Sequence, residues 1–327
     1  MRMRKRLPAR AAFAQAVSVV RPEDLNNQHS IFGGRVMSLV DAIASRVASQ
    51  FSGRPVVTAS FDLMSFEAGI RAFERIHLTA RGTRTFHTSM EIVVRVEGEN
   101  PITGKRWRTS DATLTLVALG DDGRPTEMPE LVPETEEEIR LWEGAEERRR
   151  LRLSAPQEPE PDYTKHDPVL SAHLSFESTT EICMPSEAND AGLARAGWVL
   201  SIADKLCGIS AARHAGRPAV TAVVDSVRFL RPIAVGEIVN VRTYLTRTFR
   251  TSMEVRAEVW KRTRPNSAPE RVTTAYYTFV AVGDDGRPTP VPPLELRTDL
   301  DRALWEAAGR RREMRLAGLK TLSDPAS

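Results

Sequence analysis

Two aspartates stand where a carboxylate is costly. Asp41 lies in an apolar run with Met37, Ala44 and Ala48 at helical spacing, and Asp204 lies in a second run with Leu200, Cys207 and Ala211. A carboxylate among apolar side chains costs free energy unless it is paired or put to use. Poor solvation raises its pKa, which suits a general base, and small neighbours leave room for a ligand. The plainer alternative is a carboxylate bonded to a backbone amide at a domain interface. Asn26 and Asn189 each stand fifteen residues before one of these aspartates. Either could orient a water or a carbonyl, or simply shape a turn. Gly33-Gly34 and Ala196-Gly197 open the two apolar runs. Small residues there would let a ligand approach the N–H groups of a helix start, where the dipole favours negative charge. That is a ready oxyanion site, although close helix packing also selects glycine.

Other chemistry finds less support. Cys183 and Cys207 match no metal spacing and no disulfide framework, and they suit a reducing cytoplasm. No Gly-x-Ser-x-Gly elbow surrounds Ser38 or Ser201, no placed histidine partners Cys207, and His87 becomes Arg250 in the repeat described below. Both Gly-Asp-Asp-Gly runs read as hairpin turns rather than calcium loops. The basic run Arg148 to Arg152 reads as a helix end, where cations suit the dipole. A net charge of +3 is too small to make nucleic acid the main partner. No apolar run is long enough for a membrane helix. The basic stretch Met1 to Arg10 lacks the apolar core of a secretory signal and is short for a mitochondrial presequence.

The elements that would position these residues occur twice. GRPVVTASFD (Gly53–Asp62) returns as GRPAVTAVVD (Gly216–Asp225), TRTFHTSME as TRTFRTSME, and GDDGRPT unchanged, always 163 residues later. From Pro22 to Thr126, 38 of 105 positions match their partner at that offset. Each copy is long enough for its own core. The expected organisation is a first domain at 1–153, a Pro/Glu-rich linker at 154–171 and a second domain at 172–327. Periodicity predicts a strand at Phe13–Val20, a long helix at Ile31–Phe51, and strands at Val56–Phe66, Arg75–Gly82, Phe86–Val96 and Arg106–Leu119. A charged helix follows at Thr135–Leu153, opened by a Thr135/Glu138 capping box. The second copy repeats the first strand at Phe176–Cys183 and the long helix at Arg195–His214. The long helices are apolar nearly all round, so each should be buried on more than one side. The fold class is α+β, with an antiparallel sheet wrapped around one helix.

At these residues the sequence resembles the hotdog-fold acyl-CoA thioesterases. The resemblance rests on NNQHSIFGGRVMSLVD (Asn26–Asp41), VVTASFDLMSF (Val56–Phe66), TSME in both copies, and FVAVGDDGRPTPVP (Phe279–Pro292). The tail VPETEEEIRLWEGAEERRRL (Val132–Leu151) is similar to that of brain-type tandem acyl-CoA hydrolases. The resemblance implies two hotdog units whose sheets form a continuous surface, with the helices back to back. It also implies acyl-CoA at their interface and two composite sites, Asn26 with Asp204 and Asn189 with Asp41. The aspartate would activate water or attack the thioester itself, while N–H groups near Gly33-Gly34 and Ala196-Gly197 polarise the carbonyl. Arg84, Thr88 and Ser89, with Arg247, Thr251 and Ser252, are the implied CoA contacts; exposed strand-end arginines are the alternative reading.

No metal or cofactor is implied, since coenzyme A is part of the substrate, and the partner is acyl-CoA. Related tandem proteins imply a homo-oligomer, a trimer of double hotdogs or a dimer. The copies depart from the family pattern at different points. His29 stands where a glycine is usual, and Arg195-Ala196-Gly197 replaces Phe-Gly-Gly. The intact Gly33-Gly34 beside Asn26 points first to the Asp204 site. Two rival functions remain: a dehydratase or hydratase, which needs a histidine near the helix start where the sequence offers only the unmatched His29, and a non-catalytic acyl-CoA-binding regulator.

Overall fold

The computed structural model describes residues 4–154 and 175–323, so nearly all of the expected linker lies outside the described residues. The first unit contains β1 (Arg6–Pro8), β2 (Phe13–Val19), α1 (Gly33–Ser52), β3 (Val56–Phe61), β4 (Met64–Ser65), β5 (Arg75–Thr85), β6 (Ser89–Glu99), β7 (Arg106–Ala118), β8 (Glu130–Val132) and α2 (Glu136–Ser154). The second contains β9 (Glu177–Ile182), α3 (Ala196–Ala215), β10 (Ala219–Val224), β11 (Val227–Arg228), β12 (Ile238–Thr248), β13 (Ser252–Arg262), β14 (Glu270–Ala281) and α4 (Asp299–Ser323). The duplicated hotdog plan holds: each long helix packs on its own antiparallel sheet. The short parallel pair of β1 and β8 was not expected from the sequence.

The alternation along the strands decides which face meets the helix. Ile76, Leu78 and Ala80 on β5, Ile92, Val94 and Val96 on β6, and Leu114 and Leu116 on β7 are buried at every second position. They meet Val36, Met37, Val40, Ala44 and Val47 of α1 in one core. Fully burying a side chain of this size contributes roughly 1.5–3 kcal/mol. A charge at Val40, which is fully buried, would therefore break the packing. Both long helices end at a glycine in the left-handed region, Gly53 at φ 66° and Gly216 at φ 65°, the usual way to release the chain into the next strand.

The seam between the units is built by reciprocal exchange. The strand that begins as β3 in its own sheet continues as β4 alongside β10 of the other unit, and β11 returns the exchange alongside β3. The result is two six-stranded sheets, each completed by a two-residue strand of its neighbour, rather than one uninterrupted surface. Bulges in β3 and β10 skip Ala59 and Ala222 in the register. The freed carbonyls accept the N–H groups of Phe229 and Phe66 from the opposite unit, both at 2.9 Å. Across the same seam α1 packs on α3. A Cβ on Gly34 would lie 2.8 Å from the Cα of Ser201, and one on Gly197 would lie 2.6 Å from the Cα of Ser38. Glycine at these positions is thus required by helix on helix, not helix on sheet.

Candidate active site

Neither long helix carries a capping side chain of its own, since Phe32 and Arg195 occupy the positions before them. The cap comes from the other unit. Asp204 Oδ2 accepts the N–H of Gly34 at 2.7 Å, and Asp41 Oδ2 accepts the N–H of Gly197 at 2.9 Å. The second oxygen of each carboxylate is held by a threonine hydroxyl, Thr58 on Asp41 at 2.6 Å and Thr221 on Asp204 at 2.8 Å. Both aspartates are fully buried. The positive end of one helix therefore faces the carboxylate of the other, twice, about a pseudo-twofold axis. A buried carboxylate fixed in this way is satisfied and also aimed.

The two loops before the helices share one conformation and differ in one contact. Asn26 Oδ1 accepts the N–H groups of Gln28 and Ser30 at 2.9 and 3.2 Å, and Asn189 Oδ1 accepts those of Ala191 and Leu193 at 3.0 and 3.1 Å. The amide of Asn189 then reaches across the seam to the Val56 carbonyl at 2.8 Å, two residues from Thr58. The amide of Asn26 is instead turned to Ser30 Oγ at 3.2 Å, within its own loop. Leu193 occupies the position of Ser30 in the second copy and offers no such acceptor. The departure at His29 has a conformational meaning, since it sits at φ 57° where Gly192 sits at φ 71°. A non-glycine residue there is strained.

Burial shifts both carboxylates in the same direction. Burial pushes Asp204 up to about 7, against the hydrogen bonds from Thr221 and Gly34 and the charge of Lys205. Burial also raises Asp41, opposed by Thr58, by the Gly197 amide and by the positive charge of Arg195. Arg195 is one of the departures from the family pattern, so it has an electrostatic consequence at the opposite carboxylate. A group titrating near neutrality is the form of base that can take a proton and return it.

Some predicted residues lie elsewhere. The Gly34 and Gly197 amides are engaged by the aspartates, which leaves the helix-start amides of Gly33 and Ala196 as those with no intrahelical partner. Arg84 and Arg247 pair in register with Glu91 and Glu254, on the sheet faces covered by α2 and α4. They stack on Trp142 and Trp305, with the guanidinium carbons 3.6 and 3.5 Å from the ring centroids. The side chains that anchor the C-terminal helices are therefore the two expected to be a CoA rim or free strand ends. Thr88-Ser89 and Thr251-Ser252 form the hairpins after β5 and β12. There Thr88 and Thr251 carbonyls accept the N–H groups of Ala118 and Ala281, both at 3.0 Å.

Thr58 and Thr221 were missed by residue-level reading. The available signal was their retention in both copies, seventeen residues after each aspartate. The basic run of α2 was also underread. Arg148 and Arg152 reach the buried Glu91 at 2.6 and 3.0 Å, and Arg152 reaches Asp62 at 2.7 Å. Arg311 and Arg315 repeat the clamp on Glu254 at 2.6 and 3.3 Å, and Arg315 also pairs with Asp225. These arginines fasten the terminal helices to the sheets, which a helix-end reading does not capture. Among the described residues, no group of three or more His, Cys, Asp or Glu side chains could hold a metal.

The Thioesterase superfamily model matches twice, at residues 28–105 and 192–268, covering both long helices and the strands that follow them but starting after Asn26 and Asn189. A Bacillus subtilis protein named as an uncharacterized acyl-CoA thioester hydrolase is 41% identical over 131 residues, covering 40% of this chain and 76% of that protein. The chain belongs to the thioesterase superfamily. As a tandem member it is similar along most of its length to the cytosolic acyl coenzyme A thioester hydrolase of Mus musculus. That relative is 27% identical over 306 residues, which cover 88% of this chain and 79% of the mouse protein. In solved structures, an acyl-ACP thioesterase of Bacteroides thetaiotaomicron shares the fold, with a TM-score of 0.52 at 11% identity over 83% of this chain and 99% of that one. The superfamily assignment and the duplicated hotdog plan thus agree.

Proposed function

We propose that this thioesterase hydrolyses fatty acyl-CoA to free fatty acid and coenzyme A at the seam between its two hotdog units. The observation that carries the proposal is the cross-seam carboxylate, buried, raised in pKa and aimed at the helix start of the other unit. In the proposed step the aspartate takes a proton from water while the water oxygen attacks the thioester carbonyl. The amides of Gly33 or Ala196 stabilise the oxyanion. Collapse breaks the C–S bond, and the proton passes to the departing thiolate. Both oxygens of each aspartate are held, one by threonine and one by a backbone amide. That favours a fixed base over a carboxylate that must swing to act as nucleophile.

The loop contacts favour the Asp41–Asn189 site as the principal one, although the intact Gly33-Gly34 pointed first to Asp204. Asn189 crosses the seam to the strand that carries Thr58. The amide of Asn26 is held by Ser30. Thiol release from a panel of acyl-CoAs tests the proposal on wild type, Asp41→Asn and Asp204→Asn. Asparagine keeps an acceptor for the amide or hydroxyl and removes the base. Release unaffected by both substitutions together would end the proposal, and tight CoA binding without release at any chain length would favour a regulator. The dehydratase reading draws no support from His29, which is exposed and three residues along the loop from Asn26.

The proposal includes coenzyme A as part of the substrate and no further cofactor. It also includes a homo-oligomer, a trimer of double hotdogs or a dimer. The edge strands β2 and β9 expose Phe13, Val17, Val19 and Ile182, which suits assembly. A cytoplasmic location is proposed from the two free cysteines and from the name of the mouse relative. No helix among the described residues is long and apolar enough to cross a membrane.

A further inference from the structure

The two outer edges of the molecule are copies of one strand that have diverged. β2 closes one six-stranded sheet and β9 closes the other, each paired on one side only, with β5 and β12. β9 is guarded by charge. Glu177 and Glu181 stand where β2 has Ala14 and Ser18, and Glu177 pairs with Arg213 of α3 at 2.8 Å. Charged residues on an edge strand are a common device against the addition of a further strand. β2 has no such guard. Its sequence FAQAVSV holds no charge and no proline, and it pairs with β5 from Phe13 to Val19 without a bulge.

Alternation decides which groups of β2 are left open. The Ala12 carbonyl accepts the Gly82 N–H at 2.7 Å, and the Val20 N–H donates to the Glu74 carbonyl at 2.9 Å. Even-numbered residues thus spend their backbone groups on the β5 side, and odd-numbered residues turn theirs to the open edge. Among those odd residues Phe13 is 42% exposed, Val17 58% and Val19 48%. A strained residue extends the apolar patch. Phe73 donates its N–H to the Val20 carbonyl at 2.8 Å, just beyond the end of β2. Its φ is 67° and it is 69% exposed, where the second unit has Gly236 at φ 86°. A bulky side chain in the left-handed region costs free energy. At that exposure the ring recovers little of it within its own chain.

We infer that β2 is an interface between two copies of this chain, paired antiparallel about a twofold axis at Ala16, which joins two six-stranded sheets into one. The odd-numbered residues then exchange backbone hydrogen bonds, Phe13 with Val19 of the partner subunit and Gln15 with the partner's Val17, and no charged residue of either strand is brought together. Pairing β9 with itself about Thr179 would instead set Glu177 opposite Glu181, twice. A contact that uses the same patch on both copies closes at two chains. The inference rests on the homo-oligomer reading above and selects the dimer from it. It is independent of hydrolysis, because β2 lies at the opposite end of its sheet from the seam.

Sedimentation velocity of the full chain at micromolar concentration tests it. Wild type should run as two chains. Val17→Lys sets two lysines diagonally across the axis and should raise the dimer dissociation constant at least about tenfold. Thr180→Lys, at the matching place on β9, should leave it unchanged. Thermal midpoints of both variants check that the fold is kept. A chain carrying both Ala14→Cys and Ser18→Cys tests the register. Those positions are roughly 13 Å apart along one strand, too far for a disulfide within it. Across the axis they face each other at about 4.5 Å between Cα atoms, within disulfide reach. Mild oxidation should therefore give covalent dimers, absent from either single substitution. A wild type of one chain would overturn the inference together with the homo-oligomer reading. A mass of two or more chains that Val17→Lys leaves unchanged would overturn this inference alone. So would three chains dispersed equally by Val17→Lys and Thr180→Lys, the sign of β2 joined to β9 of the next copy.

Discussion

Around Asp41 the opposing loop presents Asn189, Gly192 and Arg195, and around Asp204 it presents Asn26, His29 and Phe32. The carboxylates themselves are held alike, by one threonine and one amide each. The surroundings are not alike. One asparagine crosses the seam and the other is retained by its own loop. The cation nearest Asp41 is Arg195 of the opposing loop, and the one nearest Asp204 is Lys205 of its own helix. The units also differ on their outer faces. In the second, Arg256, Glu258, Tyr244 and Tyr276 form a buried polar network under α4. The first places Val93, Arg95, Arg81 and Thr113 at those positions. Duplication keeps the parts that both units need to pack against each other, namely the cross-capping carboxylates and the glycines at the helix crossing. Within each unit the arginine clamp on the buried glutamate is kept as well, while the polar network under α4 is not.

The sharpest way to break the comparison is to remove the carboxylates one at a time. Asp41→Asn should lower kcat for thioester hydrolysis by about 100-fold or more, the scale of a lost general base. Asp204→Asn should cost several-fold less. Equal losses would mean that both sites work, and the reverse order would move the principal site to Asp204.

Stability probes the outer faces. The side chain of Arg311 is 6% exposed and that of Arg148 is 34% exposed, although both bind a fully buried glutamate. Removing one partner from a buried pair costs about 3–5 kcal/mol. Arg311→Ala should therefore destabilise by that order in denaturant unfolding. Arg148→Ala should cost on the order of 1–2 kcal/mol, because water screens the pair.

A smaller effect should appear in pH profiles. With only Asp204 left to act, in Asp41→Asn, residual activity should fall as pH drops through about 7, where that base becomes protonated. With only Asp41 left, the acid limb should also lie above the ordinary carboxylate range, since burial raises that group too. The folded-state pKa of Asp204 is above its unfolded value, so the native chain binds the extra proton in that window. Its contribution to stability therefore declines as pH rises from the ordinary carboxylate range to about 7, and Asp204→Asn should flatten that decline in thermal melts. An acid limb at the ordinary carboxylate pKa in either variant would mean that burial does not raise the working base.

The smallest effects belong to the loops. Gly192→Ala forces a Cβ into a left-handed position and should cost about 1 kcal/mol. His29→Gly relieves the same strain but adds unfolded-chain entropy, so the two terms should nearly cancel, within about 1 kcal/mol. A large loss on His29→Gly would mean that the imidazole itself has a structural or chemical role.

Much of this molecule is legible in one dimension. A fixed offset reveals the duplication, and apolar spacing places both long helices and most strands to within a few residues. The ends of α1 and α3 follow from Gly53 and Gly216, and the hairpins after β7 and β14 from the glycines of their Gly-Asp-Asp-Gly runs. Asp41 and Asp204 stand out because a carboxylate in an apolar stripe is anomalous whatever surrounds it. These are local signals, set by interactions between residues a few positions apart.

Other assignments depended on how the halves meet. Thr58 and Thr221 look like ordinary strand residues until a bulge and a facing helix bring them onto the aspartates. The captor role of Ser30, the clamp formed by Arg148 and Arg152, and the retreat of Arg84 and Arg247 from the seam are likewise silent in the chain. Each is a contact between segments far apart in sequence. Its geometry is decided by the crossing of two helices and the seating of a terminal helix, and no spacing rule along one strand or helix encodes those.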